Sequence, residues 1–234
     1  MPIRAVSFDC FQTLVHTDWD PVVFGVRTLL GRGAQIDPPE AKSRLQSMLV
    51  RTRPDYIRLH TEADRDACDR YWIDVFRQWA SEYGQEWSVE ELRGRLLDDL
   101  YGPASVCFQV YEDVLPCLEA LRAQGLRLAV VSNWDYSLER TLERRGLRAL
   151  FDCVLASLEV GIEKPDAGIF RAAESRLGLA PEELLHVGDH PVDDYEGALR
   201  AGWHALLLDR NSPRPTEHSV VSSLSDVPEK VLEL

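Results

Sequence analysis

Positive charge is scarce in this chain. Twenty-six Lys and Arg residues face 39 Asp and Glu, for a net charge of −13. Such a surface repels polyanions, which excludes nucleic-acid binding through a basic face. If a substrate is a phosphate, the positive charge that meets it must be local and include a metal ion. Long apolar runs are missing too. No stretch approaches the ~20 residues that span a bilayer. The opening Met1-Pro2-Ile3-Arg4 lacks the apolar core of a signal peptide. The expected setting is cytoplasmic, with no membrane partner. Cysteine is sparse and irregular: Cys10, Cys68, Cys107, Cys117 and Cys153 are odd in number and none sits in a CxxC pair. That argues against a disulfide framework or a zinc site and leaves reduced thiols. Repeats and low-complexity tracts are absent. The sequence leaves the oligomeric state open.

What is present changes character along the chain. Ile3 to Phe8 is a short apolar run, read as a buried strand. From about Trp19 to Tyr101 the pattern is helical. Ala67, Tyr71, Val75 and Trp79 recur at four-residue spacing and mark a helix face. Pro38-Pro39 and Ser88 read as helix starts, Ser88 with Glu91 three residues on as a capping box. Beyond Val106 the pattern alternates. Helices over 115–124, 138–145, 169–177 and 194–201 each end in glycine, at Gly125, Gly146, Gly178 and Gly202. Short apolar strands separate them at 128–131, 153–156, 185–187 and 205–208. This alternation predicts an α/β fold with a doubly wound, Rossmann-like parallel sheet. The core takes residues 1–15 and 108–234, and an all-helical insert takes 16–107.

Ligands of such sheets bind beyond the carboxyl ends of the strands. The polar residues there are Asp9, Ser132-Asn133 and Gly188-Asp189, with Lys164-Pro165 just before a helix. Each alone has a bland reading as a turn, a cap or solvated surface. Four at one edge of one sheet are a stronger signal. Lys164 is one of only three lysines, beside Lys42 and Lys230, in a chain of 23 arginines. A lysine here suggests a need for a compact point charge. Asp189, Asp193 and Asp194 crowd like charges, which a cation would relieve. Magnesium takes oxygen ligands and usually one or two carboxylates. Asp9 with Asp189 or Asp194 supplies that number.

These stretches resemble the haloacid dehalogenase-like (HAD) hydrolases, in the subfamily with an α-helical cap. FDCFQTLV (Phe8 to Val15), VVSNWD (Val130 to Asp135), EKPDAGIF (Glu163 to Phe170) and HVGDHPVDDYEGALRAG (His186 to Gly202) are similar to the four family motifs in order and spacing. The resemblance implies a hydrolase, with Asp9 as a nucleophile forming an aspartyl intermediate. Ser132 and the Asn133 backbone N–H would hold the phosphoryl oxygens, and Lys164 would neutralise charge. Mg2+ would be bound by Asp9, Asp189, the Phe11 carbonyl and, directly or through water, Asp194. The implied substrate is a small phosphorylated metabolite.

One position departs from the family. Its phosphatases carry a second Asp two residues after the nucleophile, as general acid and base. Here that residue is Phe11, and the usual Gly after it is Gln12. Family dehalogenases have an aromatic residue at the acid position, so 2-haloacid dehalogenase chemistry through Asp9 stays open. So does a non-catalytic binding relative. Against dehalogenation, those enzymes lack the acid cluster of the fourth motif, and their cap arginine falls near Glu40. In the insert, Arg51, Arg53, Arg58 and Arg65 are candidates to meet an anion, with a solvated helix face as the plainer reading. Trp72 and Trp79 read as core.

Overall fold

The computed structural model describes residues 2–17, 20–62, 64–102, 105, 107–211 and 219–234. Trp19, where the helical pattern begins, lies outside them. The first strand, β1 (Ala5–Phe8), is buried along its whole length. It is covered on both faces, as a central parallel strand must be. A two-residue strand β2 (Val15–His16) follows. Then come helices α1 (Pro21–Gly31), α2 (Pro38–Thr61), α3 (Arg65–Ser81) and α4 (Val89–Tyr101). The chain returns through β3 (Gln109–Val110), which pairs antiparallel with β2. The remainder alternates: α5 (Val114–Ala123), β4 (Arg127–Ser132), α6 (Ser137–Arg144), β5 (Cys153–Ala156), α7 (Ser157–Val160), α8 (Ala167–Leu177), β6 (Leu184–Gly188), a π-helical turn at Pro191–Glu196, α9 (Gly197–Arg200), β7 (His204–Leu208), β8 (Val220–Val221) and α10 (Val227–Glu233).

Six strands form one parallel sheet in the order β5-β4-β1-β6-β7-β8. The α/β, doubly wound class follows from this order. From β1 the chain steps outward through β4 and β5 on one side, and through β6, β7 and β8 on the other. That reversal creates a crevice at the carboxyl ends of the central strands. Register decides what lines it. Phe8 pairs with Val130 on one side and Val187 on the other. Asp9, Ser132 and Asp189 therefore leave the sheet within two residues of one level.

The chain divides into two compact units, residues 1–16 with 109–234 and residues 17–108. The second is a helical unit around Phe24, Leu29, Leu45, Ile73, Phe76, Trp79 and Trp87. Tyr71, Val75 and Trp79 face this core, and the Trp79 indole donates to the Ala41 carbonyl at 3.2 Å. Trp72 packs against it half-buried. Among the described residues no helix is long and apolar enough to cross a membrane.

Two local expectations need correction. Ser88 does cap α4, accepting from the Glu91 N–H at 3.0 Å. The reciprocal half of the box is missing, because the Glu91 carboxylate turns to Arg32 and Arg95. The helix expected over 194–201 is a π-turn up to Glu196 before α9 begins. Asp194 lies in this turn, and its carboxylate meets His186 of β6 and the His190 N–H. Eight residues of apolar spacing are too few to separate a π-turn from an α-turn.

Candidate active site

Asp9 extends the ladder one residue past β1, its N–H donating to the Val187 carbonyl at 2.9 Å. Its carboxylate is buried and is gripped through one oxygen. Ser132 Oγ donates to Oδ1 at 2.9 Å and Lys164 Nζ at 2.6 Å. The ammonium of Lys164 has three protons and three acceptors: Asp9 Oδ1, the Val131 carbonyl at 2.9 Å and Asp194 Oδ1 at 2.6 Å. A compact three-donor group fills this place, and a planar guanidinium does not match it. The Asn133 side chain clamps the lysine from behind. Its Nδ2 donates to the Lys164 carbonyl at 2.9 Å, and its Oδ1 accepts from the Lys164 N–H at 2.7 Å. The sequence offers no signal for this clamp across 31 residues.

Asp194 is fixed from every side. Besides Lys164, Oδ1 contacts His186 Nε2 at 3.2 Å, and Oδ2 accepts from the His190 N–H at 2.9 Å. Gly188 makes room for it: a Cβ there would lie 2.2 Å from the Asp194 carboxyl carbon. Burial holds the His186 pKa below its ordinary value, so the ring is neutral. A carboxylate only accepts, so Nε2 carries the proton. Nδ1 then accepts from Ser7 Oγ at 2.8 Å. Ser7 and His186 lie within buried strand runs, where sequence reading sees only an apolar segment.

The charges do not balance. Asp9, Asp189 and Asp194 place ligand oxygens within 4.8 Å of one another, against the single ammonium of Lys164. Burial pushes Asp194 up, but the hydrogen bond from His186 and the charge and hydrogen bond of Lys164 outweigh it and hold the carboxyl well below its usual range. Asp9 goes the other way: burial, with the Asp194 charge, outweighs Lys164 and Ser132. Asp189 rises to about 6 through burial and the charges of Asp9 and Asp194. Lys164 is penalised by burial yet kept above its usual value by the two carboxylates it touches. Three carboxylates and one ammonium leave two negative charges. A hard divalent cation fits both that charge and an all-oxygen donor set.

The loop after Asp9 is held in an uncommon shape. The Phe11 side chain is 41% exposed and meets the Trp134 ring edge-on at 6.4 Å between centroids. Gln12 has φ +60°, a left-handed conformation that costs a non-glycine residue about 1–2 kcal/mol. Its N–H donates to the Val15 carbonyl at 2.7 Å, and its Oε1 accepts from the Tyr111 hydroxyl at 2.8 Å. Thr13 Oγ1 reaches Asp189 Oδ1 at 3.4 Å. In the helical unit, Arg51 and Arg53 are exposed, Arg58 is tied to Glu62 at 3.0 Å, and the Arg65 side chain lies outside the described ones.

Residues 3–202 match the family model described as haloacid dehalogenase-like hydrolase. Haloacid dehalogenase-like hydrolase domain-containing protein 3 of Bos taurus is 36% identical over 157 residues, covering 66% of this chain and 61% of the relative. The match thus spans less than two thirds of that relative's own length. Among solved structures, a HAD phosphatase from Thermococcus onnurineus is similar with a TM-score of 0.66 at 26% identity, covering 97% of each chain. A 2-haloacid dehalogenase from Pseudomonas syringae has a TM-score of 0.68 at 24% identity, covering 99% of each chain, which is a likeness of fold alone.

Proposed function

The chain belongs to the haloacid dehalogenase-like hydrolase family, and from that premise we propose that it is a magnesium-dependent phosphatase of small phosphorylated metabolites with Asp9 as nucleophile. The observation that carries this reading is the buried Asp9–Lys164–Asp194 chain beside Asp189. Asp9 is gripped at Oδ1, so its other oxygen is the one for attack on phosphorus. The P–O bond to the leaving group breaks as the aspartyl phosphate forms. Water then attacks that phosphorus, releasing inorganic phosphate and the free Asp9 carboxylate. Ser132, the Asn133 N–H and Lys164 hold the equatorial oxygens, where positive charge and alignment matter most. Asp9, Asp189 and the Phe11 carbonyl would hold magnesium, with Asp194 contributing through water because its oxygens already serve three donors. The metal supplies charge neutralisation and orientation of the phosphoryl group.

A second reading has one observation in its favour. Phe11 carries no proton, and displacement of halide from carbon by Asp9 needs none. One experiment separates the two. Hydrolysis of an aryl phosphate and the melting temperature are measured in EDTA and in millimolar magnesium, alongside halide release from 2-haloacids. The phosphatase reading expects magnesium to raise both activity and melting temperature, since a ligand of the native state stabilises it. Equal values in EDTA and magnesium, with halide released, would replace it with dehalogenation.

A further inference from the structure

We propose that Tyr111 and Arg210 are positioning residues that hold Gln12 in its left-handed conformation and thereby aim the Phe11 carbonyl. This inference rests on the magnesium reading, in which that carbonyl is a ligand. The Phe11–Gln12 peptide is trans, since Lys164-Pro165 is the cis bond found among the described residues. In a trans peptide the C=O and N–H point in opposite directions. The Gln12 N–H is spent on the Val15 carbonyl, so the Phe11 carbonyl faces away from Val15. What keeps this peptide plane in place is the conformation of Gln12. Glycine would adopt it freely; glutamine does not.

Gln12 is restrained by its own side chain. The Tyr111 hydroxyl donates to Gln12 Oε1 at 2.8 Å. The Tyr111 ring is in turn covered by Arg210, whose guanidinium carbon lies 3.7 Å from the ring centroid. Arg210 is itself immobilised. It forks onto Asp113, with Nη1 to Oδ2 at 2.8 Å and Nη2 to Oδ1 at 3.1 Å. Nη2 also donates to the Thr13 carbonyl at 2.8 Å. The same arginine therefore braces the loop twice, once through Tyr111 at Gln12 and once directly at Thr13. Thr13 touches Asp189. These residues belong to one compact unit, so the brace is continuous from β3 to the end of β7 and back to the loop after β1. The side-chain bond between Tyr111 and Gln12 replaces the freedom that a glycine would bring.

The test is a double-mutant cycle on Tyr111→Phe and Gln12→Gly. Tyr111→Phe removes one hydroxyl and keeps the ring beneath Arg210. The apparent magnesium constant is read two ways: from the rise in melting temperature across a MgCl2 titration, and from calorimetric titration with MgCl2. Tyr111→Phe should weaken magnesium binding roughly 3–10-fold, the scale of one hydrogen bond, at little change in the metal-free melting temperature. In the Gln12→Gly background the hydroxyl has no side-chain carbonyl to hold, so adding Tyr111→Phe should change the constant less than twofold. A wild-type response that Tyr111→Phe leaves untouched would remove the brace and leave the metal reading standing. So would an effect of Tyr111→Phe that persists undiminished beside Gln12→Gly, or a fall in melting temperature with no change in the constant. A wild-type protein without any magnesium response would remove the metal reading, and the brace's role with it.

Discussion

In the sheet-bearing unit Asp9, Lys164, His186 and Asp194 are all buried, together with Ser7, Thr13 and Ser132. Among the described residues of the helical unit, His60 alone of the polar and charged side chains is buried; the rest of the interior is aliphatic and aromatic. The contrast has a physical meaning. Removing an ion from water costs several kcal/mol, and an apolar replacement of similar volume often leaves a protein as stable or more so. Four ionisable groups in one interior are therefore poorly explained by stability alone. The described residues of the helical unit carry no such arrangement, and their interior is accounted for by area burial and ring contacts, such as Phe24 on Phe76 at 5.2 Å.

The sharpest way to break that contrast is Asp9→Asn. If the buried charges serve chemistry, turnover of an aryl phosphate should fall at least about 10³-fold, roughly 4 kcal/mol of barrier. The melting temperature should hold or rise, because Asp9 is a carboxyl that burial and Asp194 already disfavour as an ion. Retained activity, or a lost circular dichroism spectrum, would show that Asp9 is part of the scaffold instead.

Lys164→Met tests the same interior from the other side. It leaves Asp9 and Asp194 buried without their shared cation, and breaking a buried pair costs about 3–5 kcal/mol. Denaturant unfolding should show a loss of that size. A loss below about 1 kcal/mol would mean that water enters and the site is wetter than its burial suggests.

These residues differ in how far the sequence reveals them. Asp9, Ser132 and Asp189 are legible because each leaves a recognisable strand, and the register brings strand ends to one level. Lys164 stands out because lysine is rare in this chain. The family resemblance points to the Asn133 N–H, while its side chain clamps the backbone of Lys164, a contact that only the crossover through β5 creates. His186 and Ser7 hide inside apolar strand runs, where alternation is lost because both faces are buried. Strands β2, β3 and β8 have two residues each and carry no period. The left-handed φ of Gln12 leaves no trace in composition.

Phe11→Asp sharpens the contrast by adding one more ionisable group to the sheet-bearing unit. A positioned general acid contributes about 10²–10⁴ in rate, most for leaving groups that depart as alkoxides. The wild-type protein should therefore favour aryl over alkyl phosphates. Because Phe11 is 41% exposed, the substitution should cost little stability. It should raise kcat/KM for an alkyl ester relative to an aryl ester by about tenfold, short of the full term because nothing else has been built to orient the new carboxylate. Fast wild-type turnover of an unactivated alkyl phosphate would show that another group supplies the proton.

The last test concerns a charge that is structural, Asp113. Its two oxygens accept from Arg210 twice, from Ser223 Oγ at 2.8 Å and from the Leu224 N–H at 2.9 Å. Burial alone would raise its pKa, but these donors outweigh it and set the folded value below the ordinary 3.8. A group whose folded pKa is depressed stabilises the protein above its unfolded value and loses that contribution as pH falls through the folded one. Asp113→Asn keeps the shape and removes the charge, leaving Arg210 without its counter-ion. The loss at neutral pH should be about 1.5–3 kcal/mol, typical of hydrogen bonds to a charged group. The difference in melting temperature between wild type and variant should stay flat from pH 8 to about 5. Below pH 3.8 it should shrink as Asp113 takes up its proton. Other carboxylates lower both curves in acid, so the difference between them isolates this one. A difference that persists unchanged to pH 2 would mean that Asp113 acts through shape and hydrogen bonding rather than charge, and the distinction between structural and chemical ions in this unit would have to be drawn elsewhere.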